Sequence, residues 1–494
     1  MLKEQYEIKF SDHSELYDLL IPEDDMLRQI CDRIDFSFVR DELKDKYCDD
    51  NGRVAVDPVV LFKYLFLKVH TCLSDADLVK RTITDLAFKY FLDMTPEEMP
   101  ISSSLLSVFR RQRLKDSDLL DKLIEKTVSI ALEKGIIERK TEIVVDSTHT
   151  VSKYAHQHPN EALKALTKRL RMLVYNADES QAGKLSKDHD IKEVAEELEY
   201  CHALLREIDE SFGSLKRAEE FGMAYNDLEE AVGDVEARFT VCKTEKDAKV
   251  GSKGEGKDFF GFKSHLAATP EGFFVGATVT TGECGDGPQA AELVDKATAN
   301  GLEVVAMIGD GAYSGKDILA KGAEEDFKVV AKLHPSVFTG YRKSEPGMEF
   351  GFNKDADMPI CPAGHLAVRR RTIHYTKGKA AGNSCVQYSF DIKICHACPL
   401  RSKCLKHENA KSKSISIPIH TEEQERQKEY QQSDEFKKLY KKRYIIEQKN
   451  AHLKQHGLDK TESYGIEAMT LQTAMGVFYQ NVRYMMKNWK QIGE

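Results

Sequence analysis

The apolar positions divide the chain into helical, strand-like and aperiodic stretches. Residues 1–120 read as helical. Asp57 is a candidate N-cap, with Pro58 at the first helical position ahead of Val59, Val60, Leu61, Phe62, Tyr64, Leu65, Phe66 and Leu67. A second helix is predicted from Ser74, with Asp75 and Asp77 in its first turn. A third runs from Ser102–Ser104 through Leu105, Leu106 and Phe109 into an arginine cluster. The run Thr141–Asp146 (TEIVVD) predicts a buried strand ending in Asp146. Residues 157–240 keep helical spacing and are rich in Leu, Glu, Lys and Arg, which predicts a helical insertion. Residues 243–257 read as a Gly/Lys-rich loop. Phe259–Ala267 and Gly272–Thr280, joined by Thr269-Pro270-Glu271-Gly272, predict a β-hairpin. Asp286-Gly287-Pro288 opens a helix to about Asn300, and Leu302–Ile308 is a strand that stops at Gly309-Asp310-Gly311. A helix over 317–325 and a strand over Phe327–Leu333 follow. Periodicity fades over 346–415, where Cys, Gly and Arg rise. One helical pattern covers 421–454 and another 466–488. Strands interleaved with helices predict an α/β core.

With 494 residues, 41% of them hydrophobic, the chain exceeds one ordinary domain. Mean hydropathy is −0.47. No apolar run approaches the roughly 18–20 residues of a membrane span, and the N-terminus has no secretory h-region, so a soluble intracellular protein is expected.

The net charge of −9 argues mildly against nucleic acid as a partner, but phosphates are met by local patches. Residues 435–460 carry eight Lys/Arg against three acids. Arg369, Arg370 and Arg371 are consecutive. Arg110, Arg111, Arg113 and Lys115 form a third cluster. Any one of these, taken alone, is equally a solvated surface.

Asp146 and Asp310 each follow an apolar strand. In open α/β sheets ligands bind at the carboxyl ends of strands, and carboxylates there suit a hard cation such as Mg²⁺. Either Asp alone could equally be a turn residue. Tyr440, Arg443, Glu447 and Lys454 stand at offsets 0, 3, 7 and 14. At about 100° per residue these fall within about 60° of one another, predicting one face of one helix. An acid flanked by two cations and a phenol fits metal and phosphate as well as it fits a salt-bridged, solvated stripe.

Tyr-x2-Arg-x3-Glu-x6-Lys resembles the signature of bacterial insertion-sequence transposases that carry an Asp-Asp-Glu triad. Val-Val-Asp-Ser-Thr at 144–148 and Ile-Gly-Asp-Gly-Ala-Tyr at 308–313 are similar to the segments holding their two aspartates. Phe259–His265 resembles their Gly-Tyr-Lys-x-His strand. Val279-Thr280-Thr281-Gly282 with Asp286-Gly287 resembles the next strand and turn, and residues 57–114 resemble their N-terminal domain. The insertion and the cysteines are similar to one subgroup. The resemblance implies an RNase H-like mixed-sheet core and two Mg²⁺ or Mn²⁺ ions held by Asp146, Asp310 and Glu447. It implies cutting and joining of transposon ends in double-stranded DNA, by water and then a freed 3′-hydroxyl. Two metals about 3.5–4 Å apart activate the attacking oxygen and neutralise the leaving one. Arg443 and Lys454 are expected to contact phosphate and Tyr440 to position them, with Arg110, Arg111 and Arg113 as further DNA contacts. A homodimer or larger assembly on DNA and a bacterial cytoplasmic, nucleoid-associated location follow from the same reaction. The expected divisions are an N-terminal helical, DNA-binding domain (1–125), a catalytic core (140–156 with 241–345), the insertion (157–240), a Cys-rich module (346–415) and C-terminal helices (416–494).

Eleven cysteines without a secretion signal argue against a disulfide framework. Cys361, Cys395, Cys398 and Cys404 have the makings of a structural Zn²⁺ site, with His365, His396 and His407 as competing ligands. Reduced thiols in a small domain are the other reading. A metal-dependent phosphohydrolase built on Asp310 is disfavoured because Asp146-Ser147-Thr148 lacks an Asp-x-Asp. A serine hydrolase is disfavoured because Ser147 and His149 lack a Gly-x-Ser-x-Gly elbow. A catalytically silent, DNA-binding derivative of a transposase is the remaining alternative.

Overall fold

The computed structural model describes residues 11–48, 54–115, 118–153, 159–178, 180, 185, 193–236, 245–252, 258–333, 349–353, 355–375, 384–405 and 410–489. Two compact units are present, 1–304 with 444–494, and 305–443.

The first unit opens with helices α1 (Glu15–Leu20), α2 (Met26–Arg33), α3 (Phe38–Leu43), α4 (Pro58–Thr71), α5 (Asp75–Thr82), α6 (Leu86–Phe91), α7 (Ser103–Gln112) and α8 (Leu119–Glu133). The predicted starts are real caps: Asp57 accepts from Val59 N, and Ser74 accepts from Asp77 N. Strand β1 (Lys140–Val151) precedes three helices, α9 (Pro159–Ala177), α10 (Val194–Phe212) and α11 (Glu219–Glu236). These build their own core from residues such as Leu170, Leu204 and Leu228, so the stretch read as a helical insertion is a small three-helix layer.

Strands β2 (Lys249–Ser252), β3 (Asp258–Ala268) and β4 (Phe274–Thr281) then form an antiparallel sheet with β1, helix α12 (Gln289–Ala299) packs on β4, and β5 (Glu303–Ile308) begins. β2 lies inside the stretch read as a loop. Its Val250 pairs with Phe260, so neighbouring backbone rather than side-chain periodicity makes it a strand. Gly272 turns the β3–β4 hairpin at φ +86°, a conformation that L side chains rarely adopt. β5 starts beside β1, where Glu303 N donates to Arg139 O at 2.7 Å.

The second unit continues β5 into a parallel pair with β6 (Lys328–Val330) across helix α13 (Lys316–Glu324). The stretch that reads as aperiodic holds β7 (Gly351–Asn353), β8 (Met358–Ile360), β9 (Arg369–His374), β10 (Ser384–Ser389), helices α14 (Ile392–Ala397) and α15 (Arg401–Cys404), and β11 (Ser414–Pro418). These elements are three to six residues long, too short to print a period. Helices α16 (Glu422–Tyr430) and α17 (Asp434–Tyr440) close the unit. Gln427 on α16 donates to Val329 O and Ala331 O, both at 2.9 Å, and so clamps the β6 segment.

The chain returns to the first unit in α18 (Tyr444–Leu453) and α19 (Ile466–Asn488). α19 is buried continuously from Thr473 to Val482. Its Phe478 meets Phe36, Phe38, Phe62 and Phe66 of the N-terminal helices, with ring centroids 5.5–6.4 Å apart. Its Asn481 faces β4: Phe274 N donates to the side-chain oxygen at 2.8 Å, while Nδ2 donates to Phe274 O at 2.8 Å and to Thr127 Oγ1 at 3.0 Å. β4 pairs on one side with β3, so Asn481 satisfies backbone groups on the other. No helix among the described residues is long and apolar enough to cross a membrane.

Replacing Asn481 with Leu strands the buried N–H and the buried carbonyl of Phe274. At about 1–3 kcal/mol for each orphaned group, a loss of several kcal/mol is expected. It is read as a lower urea midpoint than wild type, and an unchanged midpoint refutes the edge-satisfying role.

Candidate functional site

Asp146 lies in the middle of β1, not at its end as the sequence predicts. The strand continues because Thr148 and Thr150 are buried and β-branched, and pairing with β3 runs on through Val151↔Gly261. The Asp146 carboxylate is half-buried. Asn450 Nδ2 donates to its Oδ2 at 2.9 Å. Asn450 is itself buried, on the α18 stripe Ile446–Asn450–Leu453 that packs on β1. Glu447 stands one turn earlier on the same helix and is exposed. Asp146 and Glu447 are thus carried on two packed elements of the first unit, joined by Asn450. His149, further along β1, meets Lys454: Nζ lies 3.1 Å from Nδ1 and 3.4 Å from Nε2.

Asp310 belongs to the second unit. It follows β5 and Gly309, as the sequence predicts, and caps a 3-10 turn over Gly311–Tyr313 by accepting from Ala312 N at 2.8 Å. A Cβ on Gly311 would stand 3.2 Å from Lys332 O, so glycine lets the turn sit close to the end of β6.

The segment 440–454 is not the single helix that its spacing predicts. Tyr440 ends α17, Arg443 lies in a 3-10 turn over Lys441–Arg443, and Glu447 is on α18. Lys454 begins a π-helical turn over Lys454–Leu458, in which Gly457 takes φ +97°. A 3-10 turn advances about 120° per residue, so offsets counted at 100° do not carry across it. Within the second unit, Tyr440 stacks on Phe436 at 5.5 Å, and Arg443 Nη1 donates to the Tyr440 hydroxyl at 3.1 Å. The phenol therefore orients the guanidinium.

The N-terminal arginines divide. Arg110 pairs with Asp75, which also holds Lys68 at 2.9 Å. Arg113 donates to Lys46 O and lies 4.5 Å from the Tyr47 ring centroid. Arg111 and Lys115 are exposed, and Arg111 Nε donates to Ser107 O of its own helix at 3.3 Å. Two of the three arginines predicted to meet DNA are thus tied to other segments of their own domain.

On β3 and β4, residues of the hairpin segments gather. Lys263 Nζ reaches Asp286 Oδ1 at 2.9 Å and Cys284 O at 2.8 Å, and His265 Nε2 lies 2.8 Å from Thr280 Oγ1. His265 is fully buried. Burial lowers its pKa to about 4, with Lys263 acting in the same direction and Asp286 opposing.

Cys361, Cys395, Cys398 and Cys404 line one cavity of about 30 Å³ together with His365. His365 N donates to Cys361 Sγ at 3.3 Å. Burial raises the Cys404 thiol pKa, and the other three cysteines raise it further, against Lys413. His396 does not line this cavity, and His407 lies outside the described residues. Among the described residues, no three His, Cys, Asp or Glu side chains stand as a formed metal cluster.

Asn450 is not among the residues that the sequence singles out. Its one signal is a polar residue at a core position between Ile446 and Leu453.

Two family comparisons bear on this arrangement. The family described as "Transposase domain (DUF772)" matches residues 15–112, and the family described as "Transposase DDE domain" matches residues 360–486. The second span contains the four cysteines and Glu447. Asp146 and Asp310 lie outside both. Comparison with individual curated proteins finds no match.

His265 gives a pH prediction. Held neutral, it binds fewer protons folded than unfolded between about pH 4 and 6.5, so stability rises with pH across that window and falls on acidification. In His265→Gln the urea midpoint should depend less on pH across the same window. An equally steep dependence removes His265 as its source.

Proposed function

The chain belongs to the DDE transposases of insertion sequences, and we propose that Asp146, Asp310 and Glu447 are its metal-binding triad. As a DDE transposase it is a metal-dependent enzyme of DNA cleavage and strand transfer, with DNA as partner. The observation that carries the residue assignment is the Asn450–Asp146 hydrogen bond, which ties the helix of Glu447 to the strand of Asp146. Asp310 enters through its own segment, a carboxylate at the end of an apolar strand with glycine on either side.

The fold reading is RNase H-like. It is supported by three antiparallel strands, β1, β3 and β4, followed by α12 and then by the parallel pair β5 and β6 with α13 between them. The divisions proposed are an N-terminal DNA-binding domain over 1–125, a core of 140–156 with 241–345, an insertion over 157–240, a Cys-rich module over 346–415 and C-terminal helices over 416–494.

The donor set is all oxygen, which suits Mg²⁺ or Mn²⁺. Two such ions, when bound, activate the attacking oxygen and neutralise the leaving one. The side chains do the rest. Asn450 fixes Asp146 Oδ2 without adding a competing charge. Tyr440 orients Arg443 toward phosphate, and His149 orients Lys454. Arg111 is the N-terminal arginine best placed to meet DNA, with Arg110 and Arg113 shaping its surroundings. Two transposon ends must be held together, so a dimer or larger assembly on DNA is proposed.

The Cys-rich module is proposed to bind one structural Zn²⁺ through Cys361, Cys395, Cys398 and Cys404. The support is that the four thiols line one small cavity and that thiolates are the usual ligands of structural Zn²⁺.

Purified protein with labelled transposon-end DNA and Mn²⁺ should cleave. Glu447→Gln should bind the same DNA and cleave at least about 100-fold more slowly, the scale of removing one electrostatic stabiliser. Equal cleavage removes Glu447 from the triad, and binding without cleavage by wild type marks a silent derivative. Elemental analysis of the purified chain should find about one zinc per chain, lost in Cys395→Ser/Cys398→Ser. A zinc-free wild type refutes the structural site.

A further inference from the structure

Charge is distributed unevenly along this chain. Residues 358–420 contain eleven Lys and Arg against two Asp and Glu, a balance of +9 in a chain whose total is −9. The remainder therefore carries −18. The same segment contains a three-stranded antiparallel sheet in the order β11-β10-β9.

The register sorts the two faces of this sheet. Arg370 pairs with Tyr388 and Tyr388 with Ile415, while Val386 pairs with Ile417. Tyr388 is buried with Ala367 and Phe390, and Val386, Ile415 and Ile417 pack against them, so this face is the module's core. Side chains alternate along a strand. The opposite face therefore presents Arg369 beside Ser389 and Ser414, and Arg371 beside Gln387 and Ser416, before ending at Ile373 and Cys385. Arg369, Arg371, Ser414 and Ser416 are exposed. None of the residues on this face is acidic. Arg370, on the other face, is paired with Asp357.

We propose that this outer face binds the phosphate backbone of duplex DNA, as a contact separate from the Arg443–Lys454 segment. Two guanidiniums two residues apart on a strand stand about 6.6 Å apart along it, and serine and glutamine add neutral donors. Arginine suits phosphate because its planar fork donates two parallel hydrogen bonds. The face offers no periodic base-reading element, so its contribution is independent of sequence. It rests on the transposase reading for its biological use, not for its chemistry.

The test uses the full-length chain and a labelled duplex of random sequence, with affinity followed by anisotropy over a range of NaCl. Each phosphate contact contributes about 0.9 to the slope of log K against log salt. Arg369→Gln/Arg371→Gln should lower the slope by about 1.8. Arg426→Gln, an exposed arginine on α16, should leave it unchanged. Ser414→Glu/Ser416→Glu places acids on the same face without touching the arginines, and should weaken binding as well. An unchanged slope in the arginine variant, or a lower affinity with an unchanged slope, overturns the proposal, as does a wild type that binds no duplex. End cleavage by the wild type is measured alongside. Cleavage with an unchanged slope refutes the sheet face alone, whereas a reduced slope without cleavage leaves the sheet face standing and refutes the catalytic reading.

Discussion

The first unit depends on the burial of α19 on every side. A helix that is apolar or small all round cannot remain at a surface. Thr473–Val482 therefore requires partners on opposite sides. Phe478 takes the aromatic cluster of the N-terminal helices on one, and Asn481 takes the backbone of β4 and the hydroxyl of Thr127 on another. Sheet and N-terminal helices thereby share one core. The asparagine is tolerated there because its side-chain oxygen and nitrogen both have partners; an unpaired one would cost about 1–3 kcal/mol.

A polar residue also stands inside an apolar stripe in α18, although there the side-chain oxygen has no hydrogen-bond partner among the described residues. Asn450 lies between Ile446 and Leu453 and commits its Nδ2 to Asp146. A lysine there would bring a positive charge to a carboxylate assigned to a metal, and an aliphatic residue would leave the carboxylate without that donor. The position of Glu447 follows from this packing, since one turn of helix separates it from Asn450. The register of α18 against β1 is thus set by core residues, and the acid stands on the exposed side of the helix that they anchor.

Basic residues serve several purposes in this protein. Arg110 and Arg113 look in the sequence like part of one DNA-facing patch, yet each has a partner within its own domain. Arg369 and Arg371 have the opposite character, because strand alternation and the buried Tyr388 turn them outward. Charge counting does not distinguish the two cases; the acid, ring or carbonyl that each arginine meets does.

The sequence alone determined the locally encoded features. Caps at Asp57 and Ser74, the hairpin turn at Gly272, the strand before Asp310 and the helix over 466–488 all depend on residues close together in the chain. The Asp, Glu and Cys residues proposed to carry the chemistry are likewise legible as motifs. Tertiary structure decided what depends on distant partners. β1 runs past Asp146 because β3 lies beside it, and β2 is a strand because β3 pairs with it. The helix predicted through Tyr440–Lys454 breaks at Lys441–Arg443, where the chain leaves one unit, and its regular part ends at Leu453, before a π-helical turn that leads toward β1. Hydrogen bonds between segments about three hundred residues apart, such as Asn450 to Asp146, leave no periodic trace in either segment. They become visible only when packing brings the two together.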